Sequence, residues 1–409
     1  ELEPSYRIFF EGQGEGTISR DLRLNMELFD TFEADGGRKL EKYLSNAKMK
    51  YDIAVGEFLY HDYSSFLDFV RPGLLVDGLK LDIFSKLDNF AKKYFVDHRS
   101  RKVVEFNTVF LGSSPFTTPA LYSLMAHADL TQGVYYPAGG IGKLPEALWK
   151  LGSELGVAWH FNTDATGISV QSGKATGVET TNGHYPADIV LSAIDYHHAE
   201  NRLLEKRYRN YSAGYWESRT MAPSTFLLYL GVKKKLPSLC HHNFYLAREW
   251  EAHFDTIFKN PSWPENPCYY IGCPSRTDDS VAPPGCESLF ILVPVAPGLS
   301  DPDEFREHYA DVIVSHLENL AGERISGAIE ERVIVSGRDF IKTHNLFKGT
   351  ALGLAHTLFQ SAVLRPSHMN RKVKNLYYSG HYTQPGIGMP MAIIGAELVG
   401  DRIVKEWPV

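Results

Sequence analysis

The segment Ser379-Gly380-His381-Tyr382-Thr383-Gln384-Pro385-Gly386-Ile387-Gly388-Met389-Pro390 puts three glycines and two prolines into twelve residues. An apolar strand over 375–379 leads into it, and a helix from about 390 to 407 leaves it. A helix start there carries unpaired N–H groups and the positive end of a dipole, suited to an electron-rich ring edge or a phosphate. A plain strand-to-helix connection needs less glycine, so the pattern points to ligand binding. A second glycine-rich helix entry is Tyr136-Pro137-Ala138-Gly139-Gly140-Ile141-Gly142. Glycine lets backbone approach a ligand, and free N–H groups favour anions. An ordinary helix entry explains this segment equally well.

Two further patterns point away from chemistry. Gly12-x-Gly14-x-Gly16 imitates the dinucleotide-binding G-x-G-x-x-G, but Thr17 stands at the third glycine. Glu11 and Glu15 would repel a pyrophosphate, and no amphipathic helix follows directly. A hairpin turn is the better reading. Cys240-His241-His242 lacks a partner cluster at ligand spacing, so no metal is expected. With Cys268, Cys273 and Cys286 there are four cysteines and no C-x-x-C. A reducing cytosol is the simpler reading, with a cytoplasmic protein.

The elements that must position these groups follow from periodicity. Strand, glycine turn and strand are expected over 6–18. Leu40, Leu44, Ala47, Tyr51, Val55 and Phe58 recur at helical spacing. A second amphipathic helix is expected over 79–94. After Gly133 the rhythm becomes α/β. It gives a helix over 144–155 stopped by Gly156, a strand over 157–161, hairpins turning at Ser172-Gly173 and Asn182-Gly183, and a buried strand over 189–193. Strands are expected over 226–232, 269–271 and 289–295. Asp301-Pro302 reads as cap and first position of a helix reaching about Leu320.

The 409 residues suggest two or three compact units. Hydrophobic residues make up 44% and charged residues 22%, which excludes a disordered or fibrous chain. The net charge, 42 − 49 = −7, gives no general attraction for nucleic acid. No apolar run reaches the ~18–20 residues of a membrane span.

With these residues in view, 375–396 resembles the C-terminal signature of bacterial-type phytoene desaturases. These are carotenoid desaturases within the amine-oxidase-like FAD flavoproteins. Tyr136 to Gly140 with Leu144, and Phe110-Leu111-Gly112-Ser113-Ser114-Pro115-Phe116, match further family segments. The resemblance covers essentially the whole chain. It implies an α/β, two-domain FAD flavoprotein: a glutathione-reductase-like FAD domain, incomplete at the N-terminus, plus a mixed-sheet and helical substrate domain. Residues 1–132 and 201–345 would form the substrate region, and 133–200 with 346–409 the FAD domain. The family's strand, G-x-G-x-x-G and ribose acid are absent, so the chain is expected to lack roughly the first Rossmann unit of a longer protein.

The resemblance places Gly139, Gly140, Ala165, Gly380, Thr383, Pro385, Gly386, Gly388, Met389 and Pro390 at FAD. His381, Tyr382 and Gln384 depart from the family pattern. Asp68 and Arg71 match polar residues near the substrate, with Asp68 handling a proton and Arg71 orienting it. A surface helix pair at i and i+3 explains them as well. The implied reaction is desaturation of a carotenoid precursor such as phytoene, with a hydride leaving an allylic carbon for FAD. The implied partners are a long apolar isoprenoid, a membrane surface touched through 71–76, and quinone or oxygen as electron acceptor. The alternatives are an isomerase, saturase or amine oxidase of the same group, or a non-catalytic lipid-binding chain.

Overall fold

The computed structural model describes residues 1–62 and 81–408. Its helices are α1 (Leu22–Phe32), α2 (Gly36–Ile53), α3 (Leu87–Ala91), α4 (His98–Glu105), α5 (Leu124–Gln132), α6 (Lys143–Glu154), α7 (Trp250–Phe258), α8 (Asp303–Ala321), α9 (Gly337–His344) and α10 (Met389–Glu406), besides shorter turns. Its strands are β1 (Tyr6–Phe10), β2 (Glu15–Ile18), β3 (Ala165–Gln171), β4 (Lys174–Thr180), β5 (Gly183–Pro186), β6 (Val190–Ser192), β7 (Ser224–Val232), β8 (His242–Leu246), β9 (Tyr269–Gly272), β10 (Glu287–Val295), β11 (Ile329–Val335) and β12 (Leu376–Tyr378).

A mixed seven-stranded sheet runs β11-β7-β10-β9-β8-β1-β2. Only the β1–β8 pair is parallel. β7 lies inside this sheet, and Phe226, Leu228 and Leu230 on one of its faces are buried, whereas Tyr229 on the other is exposed. α8 lays Tyr309, Ile313, Val314 and Leu317 against the same core. Phe226 meets Tyr309 edge to face, with centroids 5.1 Å apart. Such a pair adds about 0.5–1.5 kcal/mol beyond its buried area. α1 and α2 pack at the β1–β2 end through Phe29, Phe32, Leu40 and Tyr43. Gly12 and Gly14, both at positive φ, turn the β1–β2 hairpin, so the G-x-G-x-G run is a turn as expected.

A second core gathers Ala175, Val190, Tyr196, Trp216, Leu354, Leu376, Tyr378 and Tyr382. Around it lie the β3-β4-β5 meander and the parallel pair β6–β12.

Four expectations need correction. The helix over 79–94 is only the five residues of α3, because Asp82 takes a left-handed conformation and Lys86 bridges to Pro119. The run 157–161 is not a strand. Val157, Trp159 and Phe161 are exposed, and no strand pairs with it among the described residues. β6 is buried on one face only, since Leu191 is exposed beside buried Val190. α8 starts one residue later than its sequence signal: Pro302 occupies the cap, and the Asp301 carboxylate accepts from the Ser336 hydroxyl instead. α1 carries no expectation from the sequence; Asp21 caps it, accepting from the Arg23 N–H.

Candidate functional site

β6 and β12 run parallel, and their carboxyl ends lie side by side. The Ser379 N–H donates to Ser192 O at 3.0 Å, continuing the ladder into the bend. Ligands of open α/β sheets sit outside such carboxyl ends. From here residues 379–388 turn into α10, whose cap, Gly388, supplies no side-chain hydrogen bond.

The bend has an inner and an outer side. On the inner side Thr383 is buried, and its hydroxyl donates to Gly380 O at 2.9 Å, closing the turn. Gly386, at φ 131°, also faces inward. A Cβ there would stand 2.2 Å from His356 Nε2, so only glycine lets that imidazole close in. Gln384-Pro385 is a cis peptide, and Gln384 O lies against Gly395 of α10. On the outer side Gly388, Met389 and Pro390 are exposed and Gly380 is half-buried. A Cβ built at Gly380 or Gly388 would meet nothing closer than 3.9 Å. The outer side therefore offers bare backbone with open space above it.

Three residues that the sequence reading passed over hold this shape. Arg365 is fully buried and donates to the bend's own carbonyls: Nε to Thr383 O at 3.1 Å and Nη2 to His381 O at 2.5 Å. Its Nη1 donates to Gln360 O at 3.1 Å. No carboxylate pairs with it among the described residues. Burial therefore lowers its pKa to about 10, which still leaves it charged. His356 donates from Nδ1 to Leu111 O at 3.0 Å. Burial, then the Arg365 charge, lowers its pKa to about 3, so it is a neutral imidazole. Asp195 accepts from the Tyr382 hydroxyl at 2.8 Å, from the His198 N–H at 2.7 Å and from the Phe347 N–H at 3.1 Å. Nothing in the spacing around Arg365 announces a buried fastener; a lone arginine before a proline reads as surface loop. Asp195, just past a strand, does carry a helix-cap signal.

The donor set fits the ring end of a flavin. Between Gly380 and Pro390 no residue is a carboxylate, lysine or arginine, so the outer side suits an uncharged planar heterocycle. Two buried polar atoms of this region, Ser192 Oγ and His381 Nε2, have no partner among the described residues. A surface depression of about 470 Å³ lies elsewhere, beside Glu406 and Trp407 at the far end of α10. At ~1.5 Å per residue that is some ~27 Å from the bend.

The remaining expected residues are separate from the bend in sequence and setting. Gly139 and Gly140 lie in the turn before α6. The Gly139 N–H donates to Asp278 Oδ2 at 2.7 Å, so a carboxylate occupies the donor a phosphate would need. Hydrogen bonds from Ser280 and then from backbone N–H groups bring Asp278 down to about 2, so it is anionic. Ala165 is exposed at the start of β3, opposite Thr180. Asp68, Arg71 and the 71–76 segment lie outside the described residues. His241 of the Cys-His-His run bonds Thr277 Oγ1 at 2.5 Å.

Large exposed apolar side chains concentrate near this half. α6 buries none of its residues, and Leu148, Trp149, Leu151 and Leu155 are exposed along it. Leu191, Ile194, Met389 and Ile393 add to them.

The model of the family described as flavin containing amine oxidoreductase matches residues 53–404. The chain is 39% identical to the carotenoid 3,4-desaturase of Haloarcula japonica, over 99% of this chain and 82% of that protein. It is 28% identical to the 1-hydroxycarotenoid 3,4-desaturase of Flavobacterium sp. strain P99-3, over 92% of this chain and 76% of that protein. Putrescine oxidase bound to putrescine aligns with a TM-score of 0.55 at 11% identity, over 98% of this chain and 80% of that one. At that identity the likeness shows the fold alone.

Proposed function

We infer this chain's function from one premise: it belongs to the flavin containing amine oxidoreductase family and, within it, to the carotenoid desaturases. It is an FAD-dependent oxidoreductase that desaturates carotenoids, rather than an amine oxidase or a non-catalytic chain. The observation that carries the reading is the glycine-faced bend at the carboxyl end of β12, open outward and pinned from inside by Arg365.

The flavin, when bound, supplies the acceptor for the hydride leaving an allylic carbon. The chain's own residues position and exclude water. Gly380, Gly388, Met389 and Pro390 would meet the ring, while Thr383, Pro385 and Gly386 shape the turn behind it. Gly139 and Gly140 are assigned to the flavin side with the bend, and Ala165 to the adenine. The exposed apolar face of α6 and 157–161 supports a further part of the cofactor domain docking there. Asp68 takes the proton and Arg71 orients it, an assignment supported by their match to the family's polar residues near the substrate. Residues 1–132 and 201–345 serve the substrate, and 133–200 with 346–409 serve the cofactor.

No helix among the described residues is long and apolar enough to cross a membrane. A lipid-dissolved substrate still requires peripheral contact, and the 71–76 segment is its proposed place. Phe84, largely exposed two residues before Lys86, supports an interfacial neighbourhood. A quinone or dioxygen is the proposed electron acceptor, the former sharing the substrate's phase. The free cysteines support a cytoplasmic setting.

Pigment analysis in a host that accumulates linear carotenoids tests the activity. Products with added double bonds are expected, and Asp68→Asn should cut their yield at least tenfold. Unaltered pigment in the presence of folded, flavin-loaded protein would sink the reading.

A further inference from the structure

The sheet carries a second feature the reaction has not used. Between the sheet and α7 lies a narrow cavity of about 40 Å³, lined by Phe106, Val109, Trp250, His253, Phe254 and Leu292 among others. Nearly all of its surface is carbon. His253 is the exception: it is buried, and neither Nδ1 nor Nε2 has a partner among the described residues. Burial lowers its pKa to about 4, so the imidazole is neutral, with one donor and one acceptor to offer. Leaving both unmet in a dry site is unfavourable. The cavity exceeds the ~10–15 Å³ a water needs, but a water also wants 2–4 polar partners, and the lining's other polar side chains, Tyr269, Tyr270 and Cys268, already bond His316, His242 and Ala247 N. What suits the site is an alkyl end that fills the aromatic walls and carries a single hydroxyl.

The cavity is linked to the bend by one short segment. Phe106 and Val109 line the cavity, and the turn Phe106–Leu111 then reaches Leu111 O, which accepts from His356. Gly112 follows: a Cβ there would lie 3.1 Å from Ile387 Cδ1 of the bend. At ~2.0 Å per residue the two places are roughly 10 Å apart. A chain end held at His253 would therefore present a bond near its own terminus, not its middle, to the bend.

We propose that His253 is a specificity-determining residue that hydrogen-bonds a terminal hydroxyl on a linear carotenoid whose end enters this cavity. The proposal rests on the desaturase reading and narrows its substrate class. The 1-hydroxycarotenoid relative makes such substrates chemically familiar to this family.

The test compares two probes on the flavin-loaded full chain in detergent: a linear C40 polyene with a tertiary hydroxyl at its end, and the same polyene without it. Binding is followed by quenching of tryptophan fluorescence, to which Trp250 contributes. Wild type should bind the hydroxylated probe about tenfold more tightly, as one satisfied hydrogen bond gives. His253→Phe should bring the two affinities together, and His253→Gln, which keeps a donor and an acceptor, should retain part of the difference. Equal affinities in wild type overturn the proposal while leaving the desaturase reading standing, and this arm needs no variant to fold. A preference undiminished in His253→Phe also overturns it. Binding of neither probe removes both readings together.

Discussion

The seven-stranded half and the half around the bend, the proposed cofactor half, are held together by different means. In the first, the apolar chains of β7, β10 and α8 close on one another, and Phe226, Ile291 and Leu317 are fully buried. In the second, the bend is fixed by polar fasteners: Arg365 on two carbonyls, Asp195 on Tyr382, and His356 behind Gly386. Meanwhile α6 stands with no buried residue. Burial stabilises without regard to direction, and hydrogen bonds fix direction at little net gain. The proposed substrate floor needs the former, whereas the proposed ring seat needs backbone aimed correctly.

The most severe way to break this contrast is Arg365→Met. It takes the guanidinium's donors from four carbonyls, those of Leu354, Gln360, His381 and Thr383, an expected loss of roughly 3–5 kcal/mol. The cofactor half should loosen first. Limited proteolysis should cut near 350–400 while the sheet stays protected, and flavin absorbance should be lost. Cooperative unfolding of both halves together would show that the fasteners are not local.

Acid comes next. In an unfolded chain His253 and His356 have ordinary pKa values near ~6.5. In the native state burial lowers them to about 4 and about 3. As pH falls below ~6.5 the unfolded chain takes up protons the native one refuses, so stability present above that pH drains away. For His253 alone the loss is on the order of 3 kcal/mol by pH 4. Melting temperature should fall steeply over that window, and His253→Phe should flatten the slope.

Tyr382→Phe removes one fastener and should cost about 1 kcal/mol, since Asp195 keeps two backbone donors. Flavin affinity should drop a few-fold. The smallest effect expected is from Trp159→Ser on the exposed face, within ~0.5 kcal/mol by thermal melting. A large loss there would mean the face is already covered within the chain.

The sequence disclosed elements whose pattern answers to their own surroundings. β7 and β10 read as strands from apolar runs that bury at least one face, and 144–155 read as a helix stopped by Gly156. The glycine bend was equally plain. Residues 157–161 misled because an apolar run predicts a buried strand only if a neighbour exists to bury it. The 79–94 repeat misled because Lys86 pairs with Pro119, a contact far along the chain. Arg365, His356 and His253 were invisible for the same reason: their meaning lies in what surrounds them, and the surroundings come from segments up to 245 residues away.

The short strand β6 has β12 on one flank and, among the described residues, no strand on the other. Its free rim presents ladder donors and acceptors next to exposed Leu191. In a concentrated solution such a rim can recruit its like from another molecule. Loss of monomer on storage should then rise with the square of concentration, and a short strand-mimicking peptide should slow it.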